Sequence, residues 1–303
     1  MKNLLFTLFI LTVTYGTRAQ SNDADFSFIF MTDIHYQTAR GANEAFQLAI
    51  DTANQLDADF VLTGGDLVYD VLRGNHKKSE KLFNGYKEAV KGFNIPVYHC
   101  IGNHELFAIY EESPEDSTHS DYKYGMFERH FGDTYYSFDH KGWHFIVLNS
   151  LDVKGKRYIG MVHTEQLEWL KNDLAKVDKK TPIAIAMHIP LISTYREVYP
   201  KKPITEVPNN LWIYNRKEVL DAFKDHNLRL ALQGHMHWIE DLNIQGRTRF
   251  ITGGSIAGRP SWRRVDDRGD GVYYNEEGFM LISVKGEEIN WQYIDIGWEA
   301  RVH

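Results

Sequence analysis

What this 303-residue chain lacks narrows it before any motif is considered. Cys100 is its only cysteine, so no intramolecular disulfide can form in any compartment, and stability has to come from a packed core. Positive charge is scarce: 34 Lys and Arg stand against 41 Asp and Glu, a formal net charge of -7. A nucleic acid polymer is therefore not an expected partner, because affinity for a phosphate backbone needs a basic surface. Beyond the first segment no stretch reaches the roughly 18 consecutive apolar residues of a membrane-spanning helix. No internal repeat or low-complexity tract breaks the chain up, and with 43% hydrophobic residues it can bury the core of one large domain.

The first segment stands apart. Lys2 precedes the apolar run "LLFTLFILTV", and polar and small residues ending in "TRAQ" follow it. This reads as a secretory signal peptide over residues 1–19, cut after Ala19, with a mature domain over 20–303 that is secreted or periplasmic. Losing Lys2 and Arg18 leaves 32 basic against 41 acidic side chains, a net charge of -9. Gln20, not a cysteine, stands directly after the cleavage point, so a lipoprotein anchor is not supported. Cys100 itself, in "IPVYHCIG", reads as a small buried hydrophobe.

What is present is an alternation. The runs "FSFIFM", "DFVLTG", "PVYHCI", "WHFIVLN", "PIAIAM", "LRLALQ" and "RFITGG" are short and rich in Phe, Ile and Val, which predicts strands. Between several of them, "ANEAFQLAIDTANQL", "SEKLFNGYKEAVKGF", "HTEQLEWLKNDLAKV" and "NRKEVLDAFKDHN" place apolar residues three and four apart, which predicts helices. Alternation of this kind suits right-handed crossovers and an α/β layered fold. After Arg247 strands and turns take over, with "FMLISV" and "NWQYIDI" as a hairpin about "KGEE" and room for a second sheet.

Polar residues gather where the apolar runs end. "FIFMTDIHY" closes on Asp33 and His35, "FVLTGGD" on Asp66, "VYHCIGNHE" on Asn103 and His104, "IAIAMHIP" on His188, and "ALQGHMHWIE" on His235 and His237. If the run before His235 is a strand that continues through the motif, His235 and His237 point the same way, as do Asp33 and His35. In open α/β sheets the carboxyl ends of the strands converge on one crevice. Buried carboxylates and imidazoles without partners are costly there, and a shared metal centre would supply the partners. Gly64, Gly65, Gly102 and Gly234 each precede such a residue and permit close backbone approach.

With DxH, GDxx, GNHE, a lone His at a strand end and GHxH in that order, the chain resembles the calcineurin-like metallophosphoesterases from about Phe26 onward. The resemblance implies a four-layer α/β/β/α sandwich of two mixed sheets flanked by helices. It implies one metal held by Asp33, His35, Asp66 and His237, a second held by Asp66, Asn103, His188 and His235, and His104 as the catalytic group at the leaving oxygen. The implied reaction is hydrolysis of a phosphodiester or phosphomonoester by in-line attack of a metal-bridging hydroxide. Oxygen and nitrogen ligands without thiolate suit divalent manganese, iron or zinc. The alternative from another class is a non-catalytic metal-binding or scaffold protein on the same fold, which predicts lost ligands or a missing His104.

Departures from the family pattern matter as well. Where many relatives carry an Asp that orients the catalytic histidine, "GGDLVYD" has Tyr69, with Asp70 one residue on, so the partner of His104 is open. Purple acid phosphatases use a Tyr at that place as an iron ligand but lack the His of DxH. With His35 present, Tyr69 is expected beside the site or in the core. His99 is expected to be a satisfied core histidine. His76, His119, His130, His140, His144, His163, His226 and His303 are expected to be solvated or locally bonded. The substrate is a small-molecule phosphate ester. The connection over 194–212 and the arginine-bearing segment over 258–274, with Arg259 and Trp262, are the expected specificity walls. The sequence is silent on oligomeric state.

Overall fold

The computed structural model describes residues 25–194, 209–257 and 277–298. Arg259, Trp262, most of the 194–212 connection and residues 1–24 lie outside the described residues. Among the described residues the strands are β1 (Phe26–Met31), β2 (Val61–Thr63), β3 (Val97–Tyr98), β4 (Tyr136–His140), β5 (Trp143–Val147), β6 (Leu151–Lys154), β7 (Arg157–Gly160), β8 (Pro182–Met187), β9 (Asn227–Gln233), β10 (Glu240–Ile244), β11 (Thr248–Thr252), β12 (Gly278–Lys285) and β13 (Glu288–Asp295). The helices are α1 (Ala42–Ala53), α2 (His76–Val90), α3 (Gly125–Phe131), α4 (Thr164–Leu174) and α5 (Arg216–Ala222). The helical spacing read from the sequence found α1, α2, α4 and α5. It missed α3, and the short strands β4, β6, β7 and β10 carried too little apolar periodicity to be seen.

Two mixed sheets stack with the order β13-β12-β1-β2-β3 in the first and β10-β11-β9-β8-β5-β4 in the second. Period-2 alternation sorts each strand's side chains between two cores. From β1, Phe26, Phe28 and Phe30 enter the layer between the sheets, where they meet Phe145 and Val147 of β5, Ala184 and Ala186 of β8, Leu230 and Leu232 of β9 and Met280 and Ile282 of β12. The opposite faces carry Ile29 and Met31 of β1, packed with Ala45, Phe46, Ala49 and Ile50 of α1, and Ile183 and Ile185 of β8, packed with Leu167 and Leu170 of α4 and Val219 of α5. The result is the α/β/β/α sandwich.

Helix α2 starts at a side-chain cap, Asn75, whose Oδ1 accepts from Lys78 N at 2.8 Å, the satisfaction of an orphan N–H that favours Asn at this position.

The C-terminal hairpin corrects one expectation. β12 and β13 do not found a sheet of their own: β12 pairs antiparallel with β1, Phe26 opposite Val284, and extends the first sheet. Met280, Ile282 and Val284 fill the layer opposite β1's phenylalanines, and that burial fixes the register. The strand after Arg247, β11, joins β9 in parallel in the second sheet instead. Among the described residues no helix is long and apolar enough to cross a membrane.

Candidate metal centre

β1, β2 and β3 run parallel in one sheet, and β8 and β9 run parallel in the other. The loops leaving their carboxyl ends meet above the inter-sheet layer. The loop after β1 is zipped onto the loop after β2: Asp33 N donates to Gly65 O at 3.0 Å, His35 N to Asp66 O at 2.8 Å and Tyr36 N to Leu67 O at 2.9 Å. Gly234 N donates to His188 O at 3.0 Å, and Ser255 Oγ to Asp33 O at 2.8 Å. The candidate residues therefore sit on a hydrogen-bonded frame.

That frame overturns the alternation argument for the two histidine motifs. The strands stop at Met31 and Gln233, before Asp33 and His235, and the motif residues take left-handed backbone: φ is 54° at Asp33, 49° at His35, 53° at Asp66, 72° at His235 and 49° at His237. Non-glycine residues in this region cost of order 1 kcal/mol or more each and persist where the surroundings over-determine them. His235 and His237 fall in different groups, as the family resemblance implied and the alternation argument did not.

Two groups form. In the first, one ligand atom from each of Asp33, His35, Asp66 and His237 lies within 4.8 Å of all the others. His35 Nε2 is 3.1 Å from His237 Nε2 and 3.8 Å from Asp66 Oδ2. In the second, Asp66, His188 and His235 gather in the same way, with His188 Nε2 at 3.3 Å from Asp66 Oδ1, 3.2 Å from His235 Nδ1 and 3.0 Å from Asn103 Oδ1. Asp66 thus offers Oδ2 to one group and Oδ1 to the other.

The atoms left over are tied down in ways that leave the converging atoms free to bind. Asp33 Oδ2 accepts from Thr32 Oγ1 at 2.7 Å and from His235 N at 3.0 Å. Its buried Oδ1 makes no hydrogen bond, although it lies 3.0 Å from His237 Nε2. His188 Nδ1 donates to Gly64 O at 2.8 Å, and His235 Nε2 to Asn210 O at 2.7 Å. Those bonds fix the tautomers that present lone pairs at His188 Nε2 and His235 Nδ1. An orphaned buried carboxylate oxygen amid imidazole nitrogens is the environment a divalent cation satisfies, so the donor set fits the group the sequence implied.

Electrostatics point the same way. Burial works to raise the Asp33 carboxyl, but His237 and then His188 together overcome it and the carboxyl falls to about 2. Asp66 is held well below its ordinary value, burial being overcome by His188 and His104. Burial, then His104, depresses His35 to about 3, and burial, then His188, depresses His235 to about 4. His188 moves the other way, to about 9, because Asp66, then Asp33 and the Gly64 carbonyl, together overcome burial. Ionised carboxylates and neutral imidazoles are the forms in which these side chains bind metal; His188 would release a proton on doing so.

His104 stands at the edge of both groups, its Nε2 3.9 Å from Asp66 Oδ2 and its ring centroid 4.7 Å from that of His35. The question left open by Tyr69 has an answer in the main chain: His104 Nδ1 is hydrogen-bonded to the backbone carbonyl of Tyr69. Among the described residues no carboxylate is hydrogen-bonded to His104 Nδ1. Asp70 turns to its own loop, with Oδ1 accepting from Leu72 N at 3.0 Å, and the Tyr69 ring lies 6.0 Å from the His104 ring. His104 N also donates to Asp66 Oδ1 at 2.9 Å.

Glu105, quoted in the GNHE motif but given no role there, is buried and accepts from Gly102 N at 2.7 Å and Val68 N at 2.9 Å. It clamps the loop after β3 to the loop after β2. Burial, then Asp66, pushes its carboxyl up to about 8. A Glu three residues after a turn-initiating Gly is a capping-box signal, and that signal was available in the sequence. The close approach anticipated for the glycines is real at Gly102, where a Cβ would sit 2.0 Å from Asp66 N.

Of the remaining histidines, His140 is bonded to Asp59 at 2.8 Å, His144 to Asp139 at 2.6 Å and Asp173 at 2.9 Å, and His163 to Asp152 at 3.0 Å, whereas the buried Nδ1 of His226 has no hydrogen-bond partner among the described residues; His303 lies outside the described residues. His76, Glu80 and Asp121 have ligand-like spacing, but the Arg129 guanidinium bonds both carboxylates, which makes this an ion-pair network.

Comparison with known proteins bears on the same segment. The model of the calcineurin-like phosphoesterase family matches residues 26–238. A probable cyclic nucleotide phosphodiesterase of Fibrobacter succinogenes is 24% identical over 212 residues, covering 68% of each chain. Purple acid phosphatase 15 of Arabidopsis thaliana is 29% identical over 152 residues, 49% of this chain and 26% of that one, so the match spans about a quarter of the plant protein. Among solved structures, a dimetal phosphatase from Danio rerio superposes with a TM-score of 0.60 at 14% identity, covering 89% of this chain and 96% of that one. The Plasmodium inner-membrane-complex anchor GAP50 superposes with a TM-score of 0.51 at 15% identity, covering 92% and 87%. At these identities the structural likeness establishes the fold.

Proposed function

This chain belongs to the calcineurin-like phosphoesterase family, and we propose that it hydrolyses small-molecule phosphate esters with two divalent transition-metal ions. The observation that carries the reading is the division of the Asp66 carboxylate between two ligand groups, Oδ2 toward His35 and Oδ1 toward His188. Asp33, His35, Asp66 and His237 would hold one ion, and Asp66, Asn103, His188 and His235 the other. When bound, such a pair supplies a nucleophile at neutral pH and neutralises charge on phosphoryl oxygens.

The rest falls to the chain's own residues. His104, oriented by the Tyr69 carbonyl, presents Nε2 to the leaving oxygen and gives it a proton. The hydrogen-bonded frame keeps the ligand atoms in place before substrate arrives, so little reorganisation is needed in the reaction. No side-chain nucleophile is required. A non-catalytic scaffold would not need His104 or the complete ligand set, and the chain retains both. The monoester or diester question is one of specificity, which fold and metal set do not decide.

Metal analysis of purified protein tests the reading. Asp66→Asn is expected to lose both activity and most bound metal, because one side chain serves both groups. Two tightly bound equivalents in an active Asp66→Asn protein would overturn the assignment.

A further inference from the structure

Beside His235 lies a wall that no metal or proton-transfer role explains. Tyr158 of β7 meets the His235 ring edge-on, centroids 6.1 Å apart. Tyr110, a few residues past the GNHE turn, has its ring within 15° of the Tyr158 plane at a centroid distance of 6.5 Å. The Arg73 guanidinium covers the Tyr110 ring at 4.4 Å. Asn210, whose carbonyl fixes the His235 tautomer, donates through Nδ2 to the Tyr158 hydroxyl at 3.3 Å. Four separate segments thus deliver a guanidinium and two rings in series to the margin of the candidate metal centre, and both tyrosines are only half-buried.

The charge on this wall decides what it suits. Arg73 is shared between Asp70 and Glu112, each at 3.4 Å, so one cation faces two carboxylates and the wall is not a site for a second phosphate. Burial raises the hydroxyl pKa of both tyrosines, and both rings stay neutral. What remains is a pair of neutral, half-buried rings with polar groups beside them. Flat, uncharged heteroaromatic rings gain from such a surface by stacking, whichever base they carry.

We propose that Tyr158 and Tyr110, stiffened by Arg73 and Asn210, form the subsite for the non-reacting part of the substrate, and that this part is a nucleobase. The proposal rests on the reading of the site as a phosphoesterase and names its substrate class as nucleoside phosphate esters. The walls expected from the sequence, over 258–274 and most of 194–212, lie outside the described residues; Asn210 belongs to the end of the second.

The test separates base recognition from turnover. Calorimetric titration of manganese-loaded protein with adenosine 5′-sulfate and with ribose 5-sulfate compares two ligands that differ only in the base and carry no phosphorus to hydrolyse. The adenosine ester is expected to bind roughly 10-fold tighter, the scale of one base stacked on one ring. That ratio is expected to fall toward one in Tyr158→Leu and in Tyr110→Leu, and to survive in Tyr158→Phe, which keeps the ring. Equal affinities in the wild-type protein, or an unchanged ratio in both leucine variants, overturn the proposal. Release of nitrophenolate from thymidine 5′-(4-nitrophenyl phosphate) by the same preparation is followed in parallel. Base-selective binding with no turnover of any phosphate ester sinks the hydrolase reading and leaves the subsite, whereas turnover without base-selective binding sinks the subsite alone.

Discussion

At the scale of the residue, His104 and His99 show how one side-chain type is given two uses by its surroundings. His104 Nε2 faces Asp66 while Nδ1 is bonded to a main-chain carbonyl. On the proposed role, in which it acts on the leaving group and not on the ions, His104→Ala is expected to retain metal and lose roughly 10²- to 10⁴-fold in kcat for an alkoxide leaving group. The loss for nitrophenolate is expected to be smaller, since that group departs without a proton. Equal losses for both, measured beside metal content, would make the residue structural. His99 is packed against Phe131, centroids 4.5 Å apart, with Nδ1 3.3 Å from the Tyr86 hydroxyl. Burial lowers it from 6.5 to about 4, so as pH falls the unfolded chain takes up the proton first. The stabilisation from keeping it neutral is complete above about pH 6.5 and is lost as pH falls toward 4. His99→Phe is expected to remove this contribution, on the order of 3 kcal/mol at most, from the acid limb of a pH series of urea unfolding curves. An acid limb of the same steepness in both proteins would contradict it.

At the scale of the element, the site belongs to loops, and what makes those loops precise is their attachment to each other. Glu105 ties the turn after β3 to Val68, the loop after β1 is zipped to the loop after β2, and Gly102 lets two of these backbones touch. A Cβ at position 102 would lie 2.3 Å from Asp66 Oδ1 and 2.0 Å from Asp66 N, atoms that cannot yield without moving the residue shared by both ligand groups. Gly102→Ala is therefore expected to lower metal content and to cut activity on the order of 10²-fold, the cost of misplacing a reacting centre by about an ångström. Circular dichroism should remain that of a folded α/β protein. Full metal loading and activity in Gly102→Ala would show that the loops slide freely past each other.

At the scale of the whole molecule, two sheets pressed face to face through phenylalanine hold the five strand ends at fixed separations. Phe145 lies 5.5 Å from Phe28, 5.3 Å from Phe60 and 5.0 Å from Phe138, centroid to centroid. Phe145→Ala is expected to destabilise the fold by about 3–5 kcal/mol through lost burial and the cavity left behind, read as a lower denaturant midpoint. Since the first sheet carries Asp33, Asp66 and Asn103 and the second carries His188, His235 and His237, the same variant is expected to weaken metal binding although it lies outside the site. A destabilised variant with undiminished metal affinity would show that the loops alone define the centre.

The sequence by itself determined which strands end in side chains that could bind metal, because apolar runs of five or six residues and the polar residues that close them are local features. It also determined four of the five described helices, from spacing that repeats with the helical turn, and the layered architecture that alternation requires. The tertiary structure decided everything that depends on two distant segments meeting. That the chain leaves the strand and turns left-handed at both His235 and His237 is hidden from a strand-based reading, although the family resemblance already implied that the two serve different groups. That the Tyr69 main chain orients His104 is invisible in the sequence, because a carbonyl is common to every residue. That the C-terminal hairpin completes the first sheet turns on burial of Met280, Ile282 and Val284 against β1's phenylalanines. Tyr158 beside His235 belongs with these: a tyrosine in a four-residue strand carries no local mark of its neighbour 77 positions away, and only the packing of β7 against the second sheet's loops puts an aromatic ring at the edge of the site.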